Sequence, residues 1–194
     1  MNKLAPHDLM SLEQYARERP AFRARVLAHK GERQLAVGPN ATWCFEDRLT
    51  VQYQVQEMLR IERIFEPQGI ADELGTYNPL VPDGSNWKAT LLIEFAQPAE
   101  RVRALAQLKG IEDRCWVQVA GHARVLAIAD EDLERENAQK TSAVHFLRFE
   151  LAAPMIASLR AGAALGLGID HEHYRHQVPA VPAPLRQTLL ADLC

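Results

Sequence analysis

The spacing of apolar residues changes once along the chain, close to its middle. In the N-terminal part apolar residues recur every three to four positions, which is typical of helices packed on one side. We expect a helix capped by Asp8 and a second one opened by Pro20, because proline is well tolerated at a first helical position. Two short strands at 34–37 and 42–45 follow around a turn. The longest helix is predicted from Asp47, as its N-cap, to about Glu66.

The C-terminal part alternates between apolar and polar residues, and alternation is typical of half-buried strands. It predicts strands at 87–95, 115–119, 124–128, 143–151 and 163–169, and helices at 98–109, 130–137 and 154–160. The first six of these elements follow the order β-α-β-β-α-β of the ferredoxin-like arrangement. The predicted fold class is therefore α+β, with an antiparallel or mixed sheet, a ferredoxin-like core and an N-terminal helical segment. In the last strand Gly166 and Gly168 share one face, which indicates close approach by another backbone.

The chain is predicted to form a single α+β domain over residues 1–177. Its first part, 1–75, is mostly helical, and the sheet core spans 87–170. Residues 178–194 are expected to be a Pro/Ala-rich tether that leads to a C-terminal helix. The proline-rich loop 77–86 belongs to no regular element, and compact domains often use such loops as caps or binding surfaces.

Composition excludes several classes of protein. Hydrophobic residues make up 47% of the 194 positions, which is enough for a core without disulfide or metal support. The net charge of −3 and the lack of a dense basic cluster argue against nucleic-acid binding. The three cysteines, Cys44, Cys115 and Cys194, are far apart and do not form a disulfide framework. No apolar run is long enough for a signal peptide or a membrane span, so we expect a cytoplasmic protein.

Two residues stand out because the pattern buries them although they are polar. On a helical wheel Glu62 falls within the apolar stripe of the long helix, and alternation places His145 on the apolar face of its strand. A buried carboxylate needs a partner, so a Glu62–His145 pair is a hypothesis, with Glu57 or Gln54 nearby. It would be either a structural salt bridge, or a general-base pair or metal site for iron, manganese or zinc.

Two further groups of residues are candidates for binding. The histidines that follow the last strand, His171, His173 and His176, could bind a transition metal, although their spacing is not that of structural zinc motifs. The alternative is a solvated strand end. For a polar ligand or a partner protein, the candidates in and near the loop are Tyr77, Asn78, Asp83 and Arg148.

Four long blocks of the sequence resemble a bacterial family known as domain of unknown function 3501. These blocks are residues 45–60, 77–84, 86–90 and 140–150, and the similarity extends to about His176. The resemblance implies no activity. It implies an association with rubrerythrin-like and iron–sulfur oxidoreductase proteins, and therefore with redox or oxidative-stress physiology.

Three functions follow as expectations. The first is an accessory protein that binds a redox protein through the loop 77–86 or the sheet. The second is a small enzyme or metal-binding protein that uses Glu62, His145 and either Glu57 or Arg148. The third is a homo-oligomeric structural module.

Overall fold

The structure is a computed structural model that describes residues 2–133 and 135–194. Within these residues the helices are α1 (Leu12–Gly31), α2 (Arg48–Glu62), α3 (Pro67–Tyr77), α4 (Pro98–Gln107), α5 (Ala153–Arg160) and α6 (Ala183–Ala191). The strands are β1 (Gln34–Ala36), β2 (Ala41–Glu46), β3 (Asn86–Ile93), β4 (Cys115–Val119), β5 (Val125–Leu126), β6 (Ile128–Ala129), β7 (Val144–Glu150), β8 (Leu165–His171) and β9 (Tyr174–Val178). The α+β class is confirmed.

The first helix is continuous, whereas the sequence predicted two. Ser11 caps α1 by accepting a hydrogen bond from the Gln14 amide at 3.2 Å, and Pro20 lies inside the helix. Tyr15, Phe22 and Val26 are buried along one side of α1, so packing of this face outweighs the disturbance that a proline causes.

The second helix begins where the sequence predicted it and ends earlier. The Asp47 carboxylate accepts hydrogen bonds from the amides of Leu49 and Thr50, which makes Asp47 the N-cap of α2. Arg63 adopts a left-handed conformation with φ of 56° and stops the helix. The chain then turns into α3, with Pro67 in its first turn, a helix that was not predicted from the sequence.

The strands form two antiparallel sheets. The first has the order β1-β2-β3-β7-β6 and the second the order β5-β4-β8-β9, and the chain passes from one sheet to the other at Ala127. A ferredoxin-like core would need β3, β4, β5 and β7 in one sheet. That topology is not confirmed, because β3 and β7 pair with each other while β4 pairs with β5 and β8.

The predicted helix at 130–137 is also wrong. Asp130 has a φ of 47°, in the left-handed region, and its carboxylate accepts a hydrogen bond from the Phe146 amide at 2.9 Å. Asp130 therefore anchors the end of β6 to β7 and does not cap a helix.

The inner faces of both sheets share one hydrophobic core, and α4, α5 and α6 contribute to it. Residues 178–194 are not a free tether. The Trp87 indole donates a hydrogen bond to the Leu189 carbonyl at 2.8 Å, and the Cys194 amide donates to the Gly84 carbonyl at 2.8 Å. Helices α1 to α3 belong to two smaller hydrophobic clusters. No helix in the described part of the chain is long and apolar enough to cross a membrane.

Candidate functional site

A cleft of about 550 Å³ lies over the face of the first sheet that points away from the main core. Its floor is formed by β2, β3 and β7. One wall comes from α2, the end of α3 and the loop after it, and the other wall from the loop after β6. The lining residues are Lys30, Cys44, Glu46, Val51, Gln54, Thr76, Tyr77, Pro79, Leu80, Lys88, Thr90, Leu92, Glu131, Asp132, Leu133, Arg135, Val144, Phe146, Leu147 and Arg148.

The floor of the cleft changes from charged to apolar along the strands. Strand pairing places Glu46, Lys88 and Arg148 side by side at one end. Two positions further along each strand, Thr90 of β3 pairs with Phe146, and after another two positions Leu92 pairs with Val144. Side chains two positions apart point to the same face, so these rows form one continuous surface.

Two charged side chains of the cleft floor, Glu46 and Arg148, are held by hydrogen bonds. Glu46 accepts hydrogen bonds from the hydroxyls of Thr50 at 2.5 Å and Thr90 at 2.7 Å. Arg148 donates to Glu131 through two nitrogens and also binds Glu150. Lys88 differs from these groups, because its ammonium forms neither an ion pair nor a hydrogen bond with any residue that the structure describes. The carboxylates of Glu131 and Glu150 favour its charged form without contacting it, so its charge is only partly offset.

Burial shifts the pKa of both Lys88 and Cys44 in the cleft floor. Burial, together with the neighbouring Arg148 guanidinium, lowers the pKa of Lys88. Burial raises the pKa of the Cys44 thiol, and the nearby Glu46 carboxylate adds to this effect. Cys44 is thus held as a neutral thiol, which is not the form of a nucleophilic cysteine.

The alternation of β7 is confirmed, since His145 is 0% exposed and faces the core, but its predicted partner is wrong. Glu62 is exposed at the last residue of α2, and no Glu62–His145 pair exists. The carboxylates beside His145 are those of Asp130, 2.6 Å from Nδ1, and Glu112, 3.7 Å from Nε2. Gln54, which was expected near the pair, lines the cleft instead.

The three groups around His145 influence each other's protonation. Burial disfavours the charged imidazole, but the hydrogen bond to Asp130 and the charge of Glu112 outweigh it and raise the pKa of His145. Burial raises the pKa of Glu112, although the charge of His145 acts against it. Asp130 also pairs with Arg135 at 3.2 Å, and Arg135 lies over the ring of Phe146 on the cleft side. The cluster therefore lies behind the cleft wall, on the opposite face of β7.

Glu57, the other catalytic candidate on α2, is a link between two helices. Its carboxylate accepts hydrogen bonds from Arg19 at 2.7 and 2.8 Å and from the Tyr15 hydroxyl at 2.7 Å, both on α1. Arg60 binds it as well. The hydrogen bonds from Arg19 are the main reason why the pKa of Glu57 is lowered to about 2.

We expect Glu57→Gln to reduce the free energy of unfolding at neutral pH by about 1–3 kcal/mol, the usual worth of charged hydrogen bonds. A depressed folded-state pKa stabilises above the unfolded value of about 4.3, and this contribution disappears as pH falls through about 2. Denaturation of both proteins at pH 7, 4 and 2.5 should show a difference that shrinks toward the lowest pH. A difference that stays constant over this range would contradict the role of the Glu57 charge.

His171 at the end of β8, His173 in the turn after it and His176 in β9 do not converge on a metal site. His171 is buried, and both of its ring nitrogens are occupied: Nε2 donates to the Lys109 carbonyl at 3.0 Å and Nδ1 accepts from the His173 amide at 3.2 Å. His173 is exposed, and His176 packs beside the ring of Tyr174 on β9. They are absent from the one cluster of potential metal ligands among the described residues, which consists of Glu112, Asp130 and His145.

Two of the four predicted ligand-binding residues line the cleft, namely Tyr77 and Arg148. The other two have local structural contacts. The Asn78 side chain exchanges hydrogen bonds with the backbone of Leu4, at 2.8 and 2.9 Å, and so fixes the N-terminal segment. Asp83 accepts hydrogen bonds from the amide and hydroxyl of Ser85 and closes a turn.

Sequence reasoning missed Lys88, Glu112 and Asp130 as site residues. Alternation does place Lys88 on the face opposite Trp87, but a single lysine on such a face usually indicates solvent. Its neighbour Arg148 lies 60 positions away, on a strand whose register the pattern does not give. Glu112 lies in a short 3₁₀ turn, and no periodicity marks it as buried.

The comparisons agree with the resemblance noted from the sequence. A family model described as "Protein of unknown function (DUF3501)" matches residues 3–193, and so includes the Pro/Ala-rich C-terminal segment that the resemblance left out. A crystal structure of a protein of unknown function from Burkholderia pseudomallei, at 1.90 Å resolution, is 51% identical to this chain. The two superpose with a TM-score of 0.94, and the alignment covers 100% of both. Among curated proteins no match was found.

Proposed function

Because the chain belongs to the DUF3501 family, whose description names no activity, we propose a function from the cleft: it binds a small organic anion with an apolar body. The observation that carries this proposal is Lys88, a half-buried cation at the charged end of the cleft floor that forms no ion pair or hydrogen bond with the described residues. A buried or half-buried charge is costly without a counter-charge, and a bound anion would supply one.

The rest of the floor supports an amphipathic ligand. Its anionic group would bind Lys88, with the guanidinium of Arg148 beside it. Its apolar body would then lie along Phe146, Leu92 and Val144. On the walls, Leu80 and Leu133 add further apolar surface.

The size of the cleft agrees with this ligand class. A volume of about 550 Å³ lies within the range of roughly 300–1,000 Å³ found for small-molecule sites. We favour ligand binding over a covalent reaction at Cys44, because this cysteine is held as a neutral thiol.

We expect calorimetry to detect binding of octanoate, used as a probe, and weaker binding of its neutral analogue octanamide. Lys88→Met should weaken octanoate binding by about 10- to 100-fold, since a hydrogen bond to a charged group contributes about 1.5–3 kcal/mol. Octanamide binding should change little in this variant. The pH dependence should follow Lys88, with octanoate affinity falling once the amine loses its proton.

The matched control is Lys140→Met, which removes an exposed lysine that does not line the cleft. Equal affinities for octanoate and octanamide would refute the proposed anion site. The same conclusion would follow if Lys88→Met and Lys140→Met had the same effect on octanoate binding.

Binding of a redox protein, formation of a homo-oligomer and binding of iron, manganese or zinc stay predictions. The loop 77–86 was the expected partner surface, but much of it is packed inward. Val81 is 0% exposed, and Asn86 is buried and bonded to Glu150. The exposed part of this loop is therefore small.

A further inference from the structure

One buried carboxylate oxygen of the core has no hydrogen-bond partner, and it points at a histidine. Oε2 of Glu112 makes no hydrogen bond, and only 9% of the residue is exposed. Its nearest charged neighbour is Nε2 of His145, at 3.7 Å, which is too long for a hydrogen bond. Buried polar atoms are nearly always satisfied, so such an oxygen calls for an explanation.

The neighbouring groups suit a metal ion, because one ligand atom each of Glu112, Asp130 and His145 lies within 4.8 Å of the others. The other ring nitrogen of His145, Nδ1, donates to Oδ2 of Asp130 at 2.6 Å. Metal-binding histidines commonly have such a carboxylate behind them, because it fixes the ring and directs the second nitrogen to the ion. Nε2 forms hydrogen bonds of 3.1 Å with the Thr141 hydroxyl and the Ser142 carbonyl, so an ion would have to replace the proton on Nε2.

We propose that a divalent first-row transition ion binds between Nε2 of His145 and Oε2 of Glu112. With both ligand distances at about 2.1 Å, the separation of 3.7 Å corresponds to an angle of roughly 120° at the ion. This angle is compatible with a four-coordinate geometry completed by oxygen ligands. Asp130 is the orienting residue behind the histidine.

Charge balance favours the same occupant. With a neutral imidazole, the carboxylates of Glu112 and Asp130 together balance the two charges of the ion. Arg135, which pairs with Asp130, is also paired with Asp132. The ligands are one imidazole and oxygens, without sulfur, which suits Zn²⁺, Mn²⁺ or Fe²⁺ better than Cu⁺. Since His145 is fully buried, the ion would have a structural role. It would link Glu112, in the turn after α4, to His145 in β7 and, through Asp130, to the end of β6.

The test uses the full chain, stripped with a chelator, loaded with Zn²⁺ or Mn²⁺ and desalted before elemental analysis. We expect about one ion per chain in the wild type. Glu112→Gln, which keeps the shape and removes the charge, should lower the metal content at least tenfold. Glu62→Gln on the exposed end of α2 is the matched control and should retain the ion.

Thermal unfolding gives a second readout, since an ion bound only to the folded chain raises Tm. This rise should occur in the wild type and in Glu62→Gln and be absent in Glu112→Gln. An ion-free wild type, or equal metal content in the two variants, would overturn the proposal.

If Glu112→Gln does not fold, a Co²⁺ titration of the wild type decides. Intense visible bands that saturate at about one ion per chain support a four-coordinate site, and the weak spectrum of hydrated Co²⁺ refutes it.

Discussion

Replacing Asp192 by alanine is expected to lower the free energy of unfolding by about 3–5 kcal/mol, the usual cost of removing one partner of a buried ion pair. Asp192 follows α6 near the C-terminus and is 4% exposed, and its partner Arg33 is 2% exposed. Both Nη atoms of Arg33 donate hydrogen bonds to the carboxylate of Asp192. Without Asp192 the buried guanidinium keeps its hydrogen bond to the Phe45 carbonyl and a longer contact to Asp47, at 3.6 Å.

The cost comes from the charge that is left behind and not from a strong net attraction. Burial raises the pKa of Asp192 even though Arg33 acts in the opposite direction, so desolvation outweighs the pairing. Removing both charges should therefore be milder than removing one. We expect the double replacement Arg33→Met with Asp192→Leu to recover more than half of the stability lost in Asp192→Ala.

Urea denaturation checks this expectation, with Asp170→Ala as the control. Asp170 also binds arginines, Arg124 and Arg175, but these pairs are exposed and should contribute about 1 kcal/mol or less. Similar losses in Asp192→Ala and Asp170→Ala would show that the C-terminal segment does not depend on the buried pair.

The Arg33–Asp192 pair also shows what the sequence can and cannot predict. Local chemistry predicted the N-cap Asp47, the alternation of β7 and the inward direction of His145, because each depends on neighbouring positions. The pairing of residues 159 positions apart depends on how α6 returns to the first sheet, and no local pattern contains that information. Glu112, Asp130 and His145 come from three separate segments of the chain. They were not predicted together because no local pattern shows that these segments meet.

The error about Glu62 has a different cause. The long helix was predicted to reach about Glu66, with Phe65 in its apolar stripe, whereas α2 ends at Glu62 and its buried apolar residues are Val51, Val55 and Leu59. Ile61 and Phe65 are 61% and 69% exposed. Single apolar residues on a surface are normal, so they are weak evidence for a buried face. On the wheel Glu62 still falls on the side of Val51 and Leu59, but it is the last residue of α2, and at this end of the helix its side chain is exposed.

The glycines of β8 were predicted from one strand alone, and here the prediction is confirmed. A Cβ atom at Gly166 would lie 3.1 Å from the Pro179 carbonyl oxygen, and one at Gly168 would lie 2.8 Å from the His176 carbonyl oxygen. The backbone of β9 and the residues after it therefore come close to this face of the strand. At Gly168 the Trp116 indole is also in the way, at 2.6 Å.

We expect Gly168→Ala to destabilise the protein by about 2–3 kcal/mol, at the upper end of the usual cost of overpacking. The new methyl group cannot move away from a central strand, so either the indole of Trp116 or the strand β9 must shift. Trp116 carries the Arg124 guanidinium on its face, 3.8 Å from the ring centroid, so this stacking would be disturbed as well. Denaturation measures the loss, and a change in tryptophan fluorescence would report the displaced indole.

The matched control is Gly75→Ala in α3, where no atom lies within 4 Å of the added methyl group. Alanine is the better helix former, so this variant should be neutral or more stable by up to about 1 kcal/mol. Gly166→Ala should fall between the two, because its closest contact is longer. If Gly168→Ala were as stable as Gly75→Ala, the contact between β8, β9 and Trp116 would be looser than the structure describes. The outer face of the second sheet would then have room for larger side chains.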